Sequence, residues 1–389
     1  MSLTRRRLLT GPFAPDSGHA WIAARGREAA RAGDVEAQAA ASLIRISSNE
    51  NPLGPGAHVV AAITSRYPEA SLYPANATDR EVSLIGVLAT ACAARDEQVT
   101  LGAGSGELLT NAVRAFTSPS RPLVTAWPSF EAPRDTAKKI GTPVREVGFD
   151  AALRIDLDKL VQASKGAGLV FFCNPNNPTA TVHGQTAVAD TVKAIRAASP
   201  DTVILLDEAY HDYVTDPAYA TAMPLAVATP NVFVARTFSK AHGMAGLRAG
   251  YAVGDARVIK ALTAYKMPNG LGTLTLAAAM ASIANTAHIE AERARNTEAR
   301  AFTVKAFADM GVSGTASQAN FLFMDLKRPA RGFRDTCRAA GVLVGRDFPP
   351  FEQQYCRISI GTMDEMQKAV AVFRTALAGA PVTSRQGGR

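Results

Sequence analysis

Val232 to Arg248 reads VFVARTFSKAHGMAGLR. The run Val232–Ala235 is apolar without alternation, the mark of a strand buried on both faces. It leads through Arg236-Thr237-Phe238-Ser239 to Lys240 and then into a turn containing Gly243 and Gly246. A lysine set among apolar and glycine positions is not a solvated surface lysine. Desolvation lowers the pKa of such an amine and makes it a nucleophile toward carbonyl groups. Arg248, with Ser239 and Thr237, offers the charge and hydroxyls that a phosphate group needs.

The pattern repeats on either side of this stretch. Apolar segments at Gln98–Leu101, Leu123–Ala126, Gly168–Cys173, Val203–Asp207, Val232–Arg236 and Ala249–Val253 read as strands. Helix-like segments separate several of them, among them Glu107–Phe116, Phe130–Lys139 and Thr186–Ala198. Strands joined by helices imply crossover connections, hence an α/β fold with a mainly parallel sheet between helical layers. After about residue 287 the character changes. A long helix over Ala287–Met310 precedes strands at Asn320–Asp325, Leu343–Val344 and Arg357–Ile360, with helices at Gly332–Ala340 and Met363–Leu377. The expected division is therefore an N-terminal tail (1–44), a large domain (45–286), a small α+β domain (287–380) and a polar tail (381–389).

Ligands of open parallel sheets bind beyond the carboxyl ends of the strands. Three further motifs stand there. Leu101 is followed by Gly102-Ala103-Gly104-Ser105-Gly106-Glu107, a turn whose small residues let backbone amides meet an anion at a helix start. Cys173 is followed by Asn174-Pro175-Asn176-Asn177-Pro178-Thr179, a rigid loop with side-chain donors. Val203–Leu206 runs into Asp207-Glu208-Ala209-Tyr210. An acid at the end of a buried strand needs a partner, and a protonated pyridine nitrogen is one that suits it. Each motif alone is explained by an ordinary turn or cap; four of them behind successive strands are not.

Composition fits this reading. The chain has 389 residues and a hydrophobic fraction of 47%, enough for a large core. No apolar run reaches the roughly 18 residues needed to cross a bilayer. The net charge of +8 is dispersed apart from Arg5, Arg6 and Arg7, with no basic stripe interleaved with aromatics, so nucleic acid is not expected as a partner. Cys92, Cys173, Cys337 and Cys356 have neither metal nor CxxC spacing; they read as reduced thiols, and no metal is expected. The start, TRRRLL over Thr4–Leu9, looks like a twin-arginine export signal. The segment after it is broken by Pro12, Pro15 and Asp16. A cytoplasmic location is expected, with export as the alternative.

With these motifs in hand, the chain resembles the fold-type I, class I/II pyridoxal-phosphate (PLP) aminotransferases, and within them it is most similar to histidinol-phosphate aminotransferases. Further matching pieces are Ser48-Asn49-Glu50-Asn51-Pro52-Leu53-Gly54, Leu72-Tyr73-Pro74, Trp127-Pro128-Ser129-Phe130, Ala319-Asn320-Phe321 and Arg357-Ile358-Ser359-Ile360-Gly361-Thr362. The resemblance implies a seven-stranded, mainly parallel sheet sandwiched by helices, a small α+β domain and PLP as cofactor. It implies that Lys240 forms a Schiff base with PLP and then shuttles a proton, and that Asp207 pairs with the pyridine nitrogen. Tyr210 and Asn177 would bond the phenolic oxygen, and Phe130 would stack on the ring. Gly104, Ser105, Gly106, Thr237, Ser239 and Arg248 would bind the phosphate. Tyr73 would reach the cofactor of a neighbouring subunit, so a homodimer with shared active sites is implied. Arg357 would clamp the substrate's anionic group, with Arg346 a second candidate and Asn49 in the stretch that closes over substrate.

Two positions depart from the family pattern. Ala180 stands where Asn-Pro-Thr is normally followed by Gly, a residue suited to left-handed backbone. The spacing of Arg346 and Arg357, with Pro349 and Pro350 between them, also differs. The expected activity is transfer of an amino group between an amino acid or histidinol phosphate and a 2-oxo acid such as 2-oxoglutarate. The alternative on the same fold is a PLP-dependent lyase, racemase, decarboxylase or oxidase. A non-enzymatic effector domain of a transcription regulator would carry a fused helix-turn-helix domain, and the residues before Arg45 show no such pattern.

Overall fold

A computed structural model describes residues 43–74 and 78–378. The twin-arginine start and the polar tail 381–389 lie outside the described residues. From Arg45 onward the described residues pack as one compact unit.

Its centre is a seven-stranded sheet: β1 (Val99–Gly102), β2 (Leu123–Ala126), β3 (Val144–Val147), β4 (Leu169–Cys173), β5 (Val203–Asp207), β6 (Val232–Thr237) and β7 (Gly250–Gly254). The spatial order is β1-β7-β6-β5-β4-β2-β3. Neighbours run parallel from β6 through to β3, while β7 is antiparallel to both β6 and β1. The six strands expected from apolar runs are all present. The seventh, β3, is an edge strand reading VREV, whose Arg145 and Glu146 face solvent. With no apolar run it has no signature in the sequence, as is common for edges protected by charge.

The apolar runs are unbroken because the sheet is buried on both sides. Phe172, Ile204, Leu206 and Val234 join one core. Phe171, Leu205, Phe233 and Ala235, their chain neighbours, join the other. Successive side chains on a strand point to opposite faces, so one apolar run fills two cores. The helix Ser105–Phe116 covers one face through Leu108, Leu109, Ala112 and Val113. The helix Thr273–Ile283 covers the other through Leu276, Ala278 and Ala279. Truncating Phe171 or Phe172 to Ala costs about 3–5 kcal/mol by cavity formation.

A second, three-stranded antiparallel sheet follows the 23-residue helix Thr286–Ala308. Its strands are β8 (Ser313–Gly314), β9 (Phe321–Asp325) and, after the short β10 (Val342–Val344), β11 (Tyr355–Ser359), in the order β11-β9-β8. The register pairs Phe323 with Arg357 and Phe321 with Ser359. No described helix is long and apolar enough to cross a membrane.

Candidate active site

The carboxyl ends of β1, β4, β5 and β6 open on one cavity of about 700 Å³. Thirteen of the fifteen candidate site residues line it: Asn49, Ser105, Gly106, Phe130, Asn177, Asp207, Tyr210, Thr237, Ser239, Lys240, Arg248, Arg346 and Arg357. Gly104 stands just behind. Its backbone is left-handed, with φ +77°, and a Cβ there would fall on the Arg248 guanidinium. Tyr73 is apart from the cavity and 82% exposed.

One end of the cavity is a cup for an anion. Gly104 caps the helix Ser105–Phe116, so the free amides at that helix start face the cavity. Arg248 donates through Nη1 to Ser239 Oγ at 3.2 Å, and Thr237 Oγ1 donates to Ser239 Oγ at 2.9 Å. The loop from β6 to β7 that carries these groups joins antiparallel neighbours, not a crossover pair. It therefore turns back beyond the carboxyl end of β6, where Lys240 lines the cavity.

Lys240 donates through Nζ to the carbonyl oxygen of Asn49 at 3.0 Å. Burial, and after it the positive charge of Arg357, pushes its amine down to about 8. Asn49 itself has φ +55°. Its amide donates to Ser359 Oγ at 2.8 Å, Ser359 Oγ donates to Asn49 Oδ1 at 2.7 Å, and Asn49 Nδ2 donates to the Tyr210 hydroxyl oxygen at 3.0 Å. The N-terminal stretch, β11 and the β5 loop thus meet over the lysine.

Asp207 and Glu208 are both buried at the end of β5, and their surroundings differ. Glu208 accepts from Arg236 Nε at 3.0 Å and Nη2 at 2.8 Å, from Thr221 Oγ1 at 2.8 Å and from the Ala222 amide at 2.6 Å. Asp207 forms no ion pair among the described residues. It accepts from the Ala209 amide at 3.2 Å, and the Cys173 sulfur lies 3.9 Å away. Burial pushes its carboxyl up to about 7. A buried acid of this kind, facing a cavity, is poised for a cationic ligand atom.

Arg357 is buried. It donates through Nη1 to Asn177 Oδ1 at 2.8 Å and through Nη2 to the Ser47 carbonyl at 2.6 Å. Its Nε is buried with no partner. Desolvation lowers even this guanidinium to about 10. Burial also raises the Tyr210 phenol above its ordinary range, and the Tyr210 ring packs edge-on to Phe321 at 5.0 Å.

Ala180, the departure from the family's Gly, has φ +60° and is fully buried. Left-handed backbone costs a non-glycine residue roughly 1–2 kcal/mol, and burying a methyl group returns about 0.8 kcal/mol. Its methyl packs in a cluster with Tyr210, Tyr213 and Phe321.

Cys173, Glu131, Arg334 and Arg338 also line the cavity, and the sequence motifs do not single them out for a role. Cys173 ends a strand and is legible by position. Glu131 reads as an ordinary residue at a helix start. Arg334 and Arg338, four apart, read as the solvent face of an amphipathic helix.

The donors present fit PLP: an anion cup at one end, an amine of depressed pKa at the side and an unpaired buried acid below. Comparison with known proteins agrees. The family "Aminotransferase class I and II" matches residues 42–373. The chain is 34% identical over 337 residues to histidinol-phosphate aminotransferase of Symbiobacterium thermophilum, covering 86% of this chain and 91% of that protein. It is 35% identical over 338 residues to aromatic amino acid aminotransferase of Thermobifida fusca, covering 85% and 89%. The crystal structure of histidinol-phosphate aminotransferase from Sinorhizobium meliloti in complex with pyridoxal-5'-phosphate matches with a TM-score of 0.80 and 26% identity, covering 86% of this chain and 90% of that one. The chain has the PLP fold-type I architecture and belongs to the class I and II, PLP-dependent aminotransferases.

Proposed function

We propose that this transaminase moves an amino group from an amino acid or histidinol phosphate to a 2-oxo acid, with 2-oxoglutarate as the acceptor. The observation that carries the reading is the pairing, in one cavity, of Lys240 with a depressed pKa and Asp207 with no ion-pair partner among the described residues. PLP, when bound, supplies a reactive aldehyde carbon and a protonated ring that takes up electron density from the substrate carbon.

The residues divide the work. Lys240 holds the cofactor through its amine and, once released, carries the proton to and from the substrate carbon. Asp207 keeps the ring nitrogen protonated. The helix start at Ser105 and Gly106, with Thr237, Ser239 and Arg248, holds the phosphate, and Gly104 leaves room for Arg248. Phe130 packs on the ring face. Tyr210 and Asn177 bond the ring oxygen, and Asn49 orders the loop above. Arg357 orients the donor by its carboxylate or other anionic group.

We read the chain as a large domain (45–286) and a small domain (287–380) in a cytoplasmic homodimer with shared active sites. Tyr67, Leu72 and Tyr73 are 69%, 53% and 82% exposed on adjacent turns, which suits burial against a second copy and a role for Tyr73 at the partner's cofactor.

The test is a donor panel of histidinol phosphate, aromatic amino acids and arginine with 2-oxoglutarate. Glutamate formation with at least one donor supports the reading. No glutamate with any donor, together with release of carbon dioxide or ammonia or racemisation, identifies the alternative PLP chemistry.

A further inference from the structure

We infer that Glu131 sets which substrate tails the cavity accepts, by holding Arg346 in an ion pair at the cavity mouth. The inference rests on the amino-transfer reading for its biological meaning, and its physical content is a binding preference.

Glu131 follows Phe130 directly and begins the helix Ala132–Lys139. Its Oε1 lies 2.5 Å from Arg346 Nη2, and both residues line the cavity. The pair joins segments 215 positions apart in sequence. Arg346 also donates through Nη1 to the Asp347 carbonyl at 3.1 Å. Its guanidinium lies 4.5 Å from the centre of the Phe348 ring, and the Arg357 guanidinium lies 4.8 Å from the same centre. Two guanidinium groups therefore share one ring. The Arg346–Glu131 pair thus lines the same cavity as Arg357, within reach of the tail of a ligand whose carboxylate lies on Arg357.

Arg334, also at the cavity, is similarly committed: it donates to Asp347 Oδ2 at 2.7 Å. Arg346 is thus a cation already answered by a carboxylate. The side chains of Arg346 and Glu131 are 54% and 34% exposed, so the pair is of the weak, openable kind. A neutral tail can leave it closed. An anionic tail must displace Glu131 from Arg346 and meet its charge. Glu131 is a specificity-determining residue that weakens the binding of anionic tails, the second carboxylate of 2-oxoglutarate among them, relative to neutral ones without shutting them out.

The test measures binding of two unreactive acids to the holoenzyme by calorimetry: 3-phenylpropanoate, with a neutral tail, and glutarate, with a second carboxylate. Glu131→Gln keeps the shape and removes the charge, and Glu131→Ala serves as the second variant. We expect either variant to bind glutarate about fivefold tighter, with 3-phenylpropanoate within about twofold of the parent. Adding Arg346→Gln should abolish the gain. Unchanged glutarate affinity, an equal gain for both acids, or a gain that survives Arg346→Gln would overturn the proposal. Binding requires no turnover. A failure of transamination would therefore strike the functional reading, while these affinities judge Glu131 separately.

Discussion

Arg357 Nη1 donates to Asn177 Oδ1 at 2.8 Å, so the proposed anion clamp on β11 and the polar loop after β4 are one hydrogen-bonded unit. Neither group is free to reorient when its partner is removed, because both are buried. The Arg357→Ala and Asn177→Ala substitutions should therefore not be additive. Losing a buried, hydrogen-bonded charge costs about 2–5 kcal/mol, so Arg357→Ala should lower kcat/KM for the donor by about 30-fold or more. Asn177→Ala should cost less, and a double-mutant cycle should give a coupling of about 1 kcal/mol or more. Independent effects in the cycle would contradict the coupling.

The amine of Lys240, pushed down to about 8, fixes a pH dependence. In the role proposed for Lys240 the neutral form attacks the cofactor, and it is about one tenth of the population at pH 7 for a group of that pKa. The rate of PLP capture by cofactor-free protein should rise with pH, pass its midpoint near 8 and level off above about 9. Arg357→Ala removes the second cause of the depression and should move the midpoint upward. Stopped-flow absorbance reads both, and a parent midpoint above 10 would contradict the burial argument.

Asp207 makes the opposite kind of statement. Its folded value of about 7 lies above the ordinary value of 3.8. Between these pH values the folded protein retains a proton that the unfolded chain has released. Cofactor-free protein should therefore lose stability as pH rises from about 4 to 7. Asp207→Asn should remove that slope and stabilise cofactor-free protein at pH 7.5 by about 2–4 kcal/mol, while weakening PLP retention. Denaturant titrations at several pH values test the first part, and dialysis against cofactor-free buffer tests the second.

The positive φ of Gly104 and the Arg248 guanidinium where a Cβ would sit predict the effect of Gly104→Ala. A positive φ with extended ψ costs a non-glycine residue roughly 1–3 kcal/mol, and Arg248 must move off Ser239. PLP affinity should fall by about tenfold or more, while the far-UV spectrum is retained. Equilibrium titration with PLP measures it.

Much of the fold and the site is legible in the sequence itself. Buried strands announce themselves by unbroken apolar runs, and the polar residues behind them, Asp207, Asn177 and Lys240, lie where parallel sheets bind ligands. The edge strand Val144–Val147 does not, because its Arg145 and Glu146 face water and carry no apolar signature. Nor do Glu131, Arg334 and Arg338. Glu131 follows a strand end but reads as an ordinary helix start, and Arg334 and Arg338 are remote from the large sheet's strand ends in sequence, so that only tertiary packing brings them to the cavity. The reversed direction of Gly250–Gly254 is equally silent, since a buried strand has the same composition in either direction.

Whether Lys240 is the residue that holds the cofactor is tested most directly by chemical trapping. Purified protein loaded with PLP should be reduced with borohydride, digested and mapped by mass spectrometry. One phosphopyridoxyl group is expected on the peptide containing Lys240, with no comparable label in Lys240→Ala. A label of the same yield in that variant, or on another lysine of the parent, would contradict the assignment.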